Sequence, residues 1–215
     1  MSVTTLYLVR HGETAYNRQR IMQGRRINSH LNETGRRQAQ ALRHRLAHVP
    51  LDALYSSTLY RAQETAAIIA QAHPDLPVHA LDDLEEMSWG VLEGQAIEPH
   101  VKVTFGQMVQ AWSAGQFDVR AEEGESILEV QQRAVRAIDH ILAHHAGQTV
   151  LVVTHGRLLR VLLATLLPEY GLRRMEELQH ANTAVNRLYH RHGRFEADLL
   201  NCTAHLEAVE SILVE

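Results

Sequence analysis

Residues 6–14 read Leu-Tyr-Leu-Val-Arg-His-Gly-Glu-Thr, so an apolar run delivers Arg10, His11 and Gly12 at its end. A second run, Val150 to Val153, closes on Thr154, His155 and Gly156. Apolar runs rich in β-branched residues are the pattern of strands buried on both faces of a parallel sheet. In open α/β sheets ligands bind outside the carboxyl ends of such strands. Two adjacent parallel strands of this kind would bring His11 and His155 over one pocket. Arg61 comes after a third short apolar run, so it too is expected at that end. Two arginines, two histidines and a helix N-terminus converging on one point would suit phosphoryl transfer. That reaction needs the equatorial oxygens held and their charge neutralised, with attacking and leaving groups in line. Guanidinium forks can supply the charge in place of a metal. Neighbouring cations keep an imidazole unprotonated and therefore nucleophilic. For Arg10 or Arg61 alone a surface ion pair is the ordinary reading; four such groups at strand ends argue against it.

Other chemistries fit less well. Lys102 is the single lysine, which leaves arginine as the anion clamp. Gly124-Glu125-Ser126 lacks the closing glycine of a hydrolase nucleophile elbow, and there is neither a P-loop lysine nor a GxGxxG run. Cys202, the only cysteine, has Ala208 where a thiol phosphatase loop requires arginine, and it excludes an intrachain disulfide. His140 and His144 lie one helical turn apart, but with no completing ligand a solvated helix face is expected and no metal site. Arg191-His192-Gly193 repeats the letters of the first motif between two strands, where it reads as a hairpin turn.

The elements that must position these residues alternate. After the first strand, 13–23 reads as a helical start running into a loop, and Arg25 and Arg26 as exposed. Asn32 caps a helix to about His48, with Ala39, Leu42, Leu46 and Val49 on one face. A strand over 51–55 comes next, then a helix over 59–72 capped by Ser56-Ser57-Thr58, and a strand over 78–81. Residues 87–125 form a lid-like excursion that includes a weak helix over 99–114. The longest helix runs 126–145 and presents Ile127, Val130, Ala134, Ile138 and Leu142. After the second His-Gly strand come a helix over 157–166 and a closing hairpin. Alternation of this kind builds right-handed βαβ units. The expected fold is therefore an α/β three-layer sandwich, a mostly parallel central sheet with helices on both faces, in one domain over 1–215.

Composition bounds the partners. The chain has 215 residues, 45% hydrophobic and 21% charged, as in ordinary globular proteins. A net charge of −4 and an aromatic content of 5% argue against nucleic acid. No apolar stretch reaches the roughly 20 residues of a membrane span, and the chain opens without a signal-peptide pattern, so a cytoplasmic location is expected. Oligomeric state is open, a homodimer included.

On these residues the sequence resembles the histidine phosphatase superfamily, the phosphoglycerate mutase-like group. The motifs are Arg10-His11-Gly12-Glu13-Thr14 with Asn17, Gln23-Gly24, Leu31-Asn32-Glu33-Thr34-Gly35 and Ser56-Ser57 through Arg61 to Thr65-Ala66. They continue with Leu84 through Glu93-Gly94, Gly124-Glu125-Ser126 and Thr154-His155-Gly156. The resemblance implies that His11 is phosphorylated while Arg10, Arg61 and His155 hold the phosphoryl oxygens, with Asn17, Gln23 and Gly24 lining the pocket. It implies Glu86, in preference to Glu85, as proton donor to the leaving oxygen; a carboxyl beside a dianionic phosphate is suited to that task. No cofactor and no metal are implied. Mutases of the family resemble each other in a long insertion bearing lysine and tyrosine, whereas Gly94 to Gly124 holds only Lys102 and no tyrosine. The expected function is thus a compact phosphomonoesterase acting on a small phosphorylated metabolite, with a cofactor-dependent phosphoglycerate mutase as the alternative. An inactive phospho-ligand-binding protein is a third, weaker reading.

Overall fold

The structure, a computed structural model, describes residues 2–207; Met1 and 208–215, which the expected domain includes, lie outside the described residues. Strand β1 (Thr4–Arg10) runs into one turn of helix, α1 (Ala15–Arg18), shorter than the helical start expected over 13–23. Then come α2 (Glu33–Leu46), β2 (Ala53–Ser57), α3 (Tyr60–Ala70), β3 (Val78–Leu81) and α4 (Pro99–Ser113). The chain continues with α5 (Ile127–His144), β4 (Thr149–Thr154), α6 (Gly156–Leu166) and the hairpin β5 (Val185–Arg191) and β6 (Arg194–Cys202). The six strands form one sheet in the order β3-β2-β4-β1-β5-β6, parallel except for the closing hairpin. At the hairpin, His192 and Gly193 have φ of 51° and 72°, the left-handed pair that a two-residue turn requires.

Alternation along the strands sorts the side chains into two layers. Leu6 and Leu8 of β1, Ala53 and Tyr55 of β2, and Val150 and Val152 of β4 join one core with α4, α5 and α6. Tyr7, Val9, Leu54, Leu151 and Val153 point the other way, onto Leu42 and Leu46 of α2 and Ala62, Ala66 and Ile69 of α3. Continuous apolar runs were necessary here because both faces of β1 and β4 are covered.

Two local expectations are corrected. The second strand covers 53–57 instead of 51–55, so Ser56 and Ser57 finish β2, and α3 begins after Leu59 without a side-chain cap. Ser57 still serves that turn, because its Oγ accepts the Leu59 N–H at 3.2 Å. Arg25 is partly covered, its guanidinium held by Glu85 and Glu125; Arg26 is exposed, as expected.

Register, more than layer membership, positions the strand ends. Arg10 pairs with Thr154 across β1 and β4, and Ser56 with Val153 across β2 and β4. The three strands therefore end at one level. The loop leaving β1 is pressed onto the start of α2 through two glycines. A Cβ on Gly12 would lie 2.5 Å from the Gly35 carbonyl oxygen, and one on Gly35 would lie 2.0 Å from that of Glu13. These neighbours are backbone, so neither can yield cheaply. Gly35→Ala is expected to cost about 2–3 kcal/mol, a fall in Tm of roughly 4–10 °C in thermal denaturation. An unchanged Tm would show that the contact is looser than described.

Candidate active site

Where β1, β2 and β4 end, His11 and His155 face each other with ring centroids 5.1 Å apart. Parallel register produces this: the His11 N–H donates to the Thr154 carbonyl at 2.9 Å, locking the two strand exits together. His11 Nδ1 lies 2.7 Å from the Gly12 carbonyl oxygen. A carbonyl only accepts, so Nδ1 carries the proton and Nε2 keeps its lone pair. On His155 it is Nε2 that is engaged, 2.8 Å from Ser57 Oγ, and Nδ1 has no partner.

The two arginines are held by backbone carbonyls. Arg61 donates to Gly24 and Ile27, each at 2.9 Å, and Arg10 donates to His180 at 2.8 Å. Nε of each is buried and bonded to nothing. Burial and the neighbouring charges have electrostatic consequences. His11 is driven well below the ordinary histidine range by burial and then by Arg61 and Arg10. His155 is driven down by burial and Arg61. Arg61 itself is lowered to about 10, mainly by burial. Both imidazoles are neutral at physiological pH.

Around His11 lies a cavity of about 150 Å³ lined by Arg10, Arg61, Asn17, Gln23, Gly24 and Glu86, among others. Asn17 Oδ1 is taken by the Thr14 N–H and hydroxyl, and Gln23 Oε1 by the Ser29 hydroxyl. Each amide keeps its NH₂, a donor, to offer. Gly24, at φ 78°, turns the chain so that its carbonyl meets Arg61. Arg10, Met22, Glu86 and Trp89 also line a second cavity of about 320 Å³, so the two cavities share these residues as a common wall.

The two adjacent glutamates are sharply separated. Glu85 is bonded to Arg25 and Thr58. Glu86 turns to the cavity, and its carboxylate accepts the N–H groups of Met87, Arg157 and Leu158 at 2.9–3.2 Å. This corrects one expectation. The amides at the start of α6 are occupied by Glu86, an ordinary use of a helix N-terminus, so the anion-holding capacity there rests on side chains.

Sequence pattern marked Glu125 and Thr154 only as motif members and gave no place to the other groups that fix these parts. Buried Arg133 donates to the carbonyls of Asp83, Glu85 and Glu86 and to the Glu125 carboxylate, clamping the Glu86 loop. Its signal was available: it is a charge on the otherwise apolar stripe of α5. Glu125 also accepts the Ser88 N–H, and Thr154 Oγ1 donates to the Leu84 carbonyl. Asn182 donates to the His11 carbonyl, and the Thr183 N–H, on a residue at φ 58°, to that of Arg10. These last residues, with His180, lie on an irregular segment that no periodicity marks. His140 and His144 lie against each other at the surface with their rings tilted by 40°, and among the described residues no group of three ligands could hold a metal.

The model of the histidine phosphatase superfamily (branch 1) matches residues 6–203. The chain belongs to the histidine phosphatase superfamily. It is an enzyme, of a family with both hydrolases and mutases. A probable phosphoglycerate mutase GpmB of Yersinia pestis (strain Pestoides F) is 39% identical over 175 residues, 79% of each chain. Among solved structures, YhfR of Bacillus stearothermophilus superposes with a TM-score of 0.85 at 36% identity, over 95% of this chain and 100% of that one. A phosphoserine phosphatase mutant of Entamoeba histolytica, in complex with phosphoserine, gives 0.82 at 25% identity over 94% and 99%. Similarity to the phosphatase structure thus covers 94% of this chain, and similarity to the probable mutase covers 79%.

The buried histidines also make stability depend on pH. The unfolded chain binds their protons near pH 6.5, whereas the fold keeps His11 and His155 neutral well below that and His180 neutral to about 3. Their contribution is complete above 6.5 and is lost as pH falls, by about 1.4 kcal/mol per pH unit for each histidine. Between about pH 7 and pH 5 the Tm should therefore drop steeply in thermal denaturation. A flat profile would mean that the histidines protonate without cost in the folded protein.

Proposed function

We propose that the protein is a phosphomonoesterase that works through a phosphohistidine on His11 without a metal. One observation carries this reading: Arg10 Nε, Arg61 Nε and His155 Nδ1 are all buried and unpaired around a neutral His11. Buried polar groups are nearly always satisfied, so several orphaned donors around one nucleophile call for an anion with several oxygens. A phosphoryl group fits that description.

In this reading the phosphate enters with its oxygens toward Arg10, Arg61, His155 and the Asn17 and Gln23 amides. The Nε2 lone pair of His11 attacks phosphorus, and the bond to the ester oxygen breaks. That oxygen takes a proton from Glu86, the carboxyl that lines both cavities. Water then attacks the phosphohistidine, returning the proton to Glu86 and releasing inorganic phosphate. The Gly12 carbonyl holds the His11 ring for in-line attack and accepts from Nδ1–H as the ring becomes cationic. Guanidinium groups carry the charge that a metal carries elsewhere. The mutase reading is favoured by the 39% identity to a probable phosphoglycerate mutase. It differs only in which hydroxyl attacks the phosphohistidine.

His11→Ala should abolish the acid-labile phosphoenzyme formed with p-nitrophenyl phosphate, and His192→Ala, in the hairpin turn, should leave it intact. Equal labelling of both variants would remove His11 as nucleophile. Glu86→Gln should lower kcat roughly 100-fold for alkyl phosphates and much less for p-nitrophenyl phosphate, whose leaving group needs no proton. EDTA should leave turnover unchanged. Inorganic phosphate should exceed isomerised product from phosphoglycerates, with or without 2,3-bisphosphoglycerate; the reverse would make the enzyme a mutase.

A further inference from the structure

The two facing histidines are held by partners of different kinds. Gly12 gives His11 a carbonyl, which can only accept, so the proton sits on Nδ1. Ser57 gives His155 a hydroxyl, which has one proton to donate and two lone pairs that accept. The surroundings of that hydroxyl decide which it does. Ser57 ends β2 and is fully buried. Among the described residues its Oγ meets two groups, the Leu59 N–H at 3.2 Å and His155 Nε2 at 2.8 Å. The Leu59 amide is a donor and takes up one lone pair. The hydroxyl proton then has one acceptor within reach, the lone pair of Nε2. Were Nε2 to carry a proton, both neighbours would donate to Oγ, and the hydroxyl proton would be buried with nothing to receive it. Buried polar groups nearly always avoid that outcome. His155 is neutral, driven down by burial first and then by Arg61, so a bare Nε2 leaves its single proton on Nδ1. That nitrogen is buried and without a partner, on a ring centred 5.1 Å from that of His11.

We infer that Ser57 is a positioning residue that fixes the tautomer of His155, so that Nδ1 presents an N–H, and not a lone pair, to the phosphoryl oxygens. The choice sets the sign of the interaction: a donor there attracts an anion, whereas a lone pair on the same atom would repel it. Two rings in the same tautomer thereby take opposite roles. His11 has Nδ1 held and Nε2 free to attack, while His155 has Nε2 held and Nδ1–H free to bind. The inference rests on the phosphatase reading for the oxygens that Nδ1–H meets; the tautomer itself does not.

The tautomer is read directly in the wild-type protein. Long-range ¹H–¹⁵N correlation spectra of the ¹⁵N-histidine-labelled chain at neutral pH distinguish the two nitrogens, because Nε2 alone adjoins both ring C–H groups. His155→Ala identifies the signal among the 15 histidines. Nε2 should be the unprotonated nitrogen and Nδ1 the protonated one; the reverse would overturn the inference. Ser57→Ala should let the second tautomer appear and weaken both inorganic phosphate binding and kcat/KM for p-nitrophenyl phosphate about tenfold, less than loss of a whole anion-holding donor. Removing the hydroxyl also strands the Leu59 N–H, and the double variant separates that structural effect. In a His155→Ala background Ser57→Ala should add nothing; an equal loss in both backgrounds would reduce Ser57 to a support of the turn. Should the wild type hydrolyse no phosphomonoester, the phosphatase reading fails, and the spectrum alone decides the tautomer.

Discussion

Parallel register between β1 and β4 governs the arrangement of this molecule. It sets Arg10 opposite Thr154, and so places the next residue of each strand, His11 and His155, at one height above the sheet. A slip of one residue would turn Leu6 and Leu8 out of their core layer, along with every other buried side chain of the strand. Hydrophobic burial on two faces therefore enforces, to within one residue, the meeting of two histidines 144 positions apart in the chain (155 − 11).

That meeting is electrostatically unfavourable in isolation. Two guanidinium groups and two imidazoles are withdrawn from water, with Glu86 as the carboxylate lining the inner cavity. The fold meets the cost in two ways. It leaves the imidazoles neutral, and it gives each arginine carbonyl oxygens from loops that are themselves fixed, Gly24 and Ile27 for Arg61 and His180 for Arg10. What is not compensated is the Nε of each arginine, which stays buried without a partner. Preorganisation of this kind puts the reorganisation cost into folding, where the two hydrophobic layers can bear it.

Support for the irregular parts is equally specific. Residues 85–94 have little regular structure, yet Arg133 holds three of the carbonyls just before and within this stretch, and Glu125 holds Ser88. Glu93 receives the N–H groups of Arg25, Arg26 and Trp89, tying the loop after β1 to the excursion. Loops built this way behave as fixed walls, which is why the excursion can shape a cavity with the rim of the sheet. Arg157, stacked among three aromatic rings, continues that wall into the larger cavity.

How much of this was legible in the sequence depended on how local the cause was. The continuous apolar runs 6–9 and 150–153, the Asn32 cap and the stripe of α5 are effects of near neighbours, and they determined strands, helices and layers directly. The His-Gly endings were visible for the same reason, but the adjacency of β1 and β4 was not, because these strands are not consecutive in the chain and β4 lies between β1 and β2. The Glu85/Glu86 choice, by contrast, is made by Arg25, Thr58 and the first turn of α6, groups from three distant stretches, and only the spacing of the family resemblance pointed to Glu86. Nor could the sequence tell that α6 would spend its first amides on Glu86, or that His180 would be buried with both nitrogens unpaired. Those outcomes belong to tertiary structure, because solvent exclusion and hydrogen-bond partnership are decided only when segments without mutual periodicity close on one another.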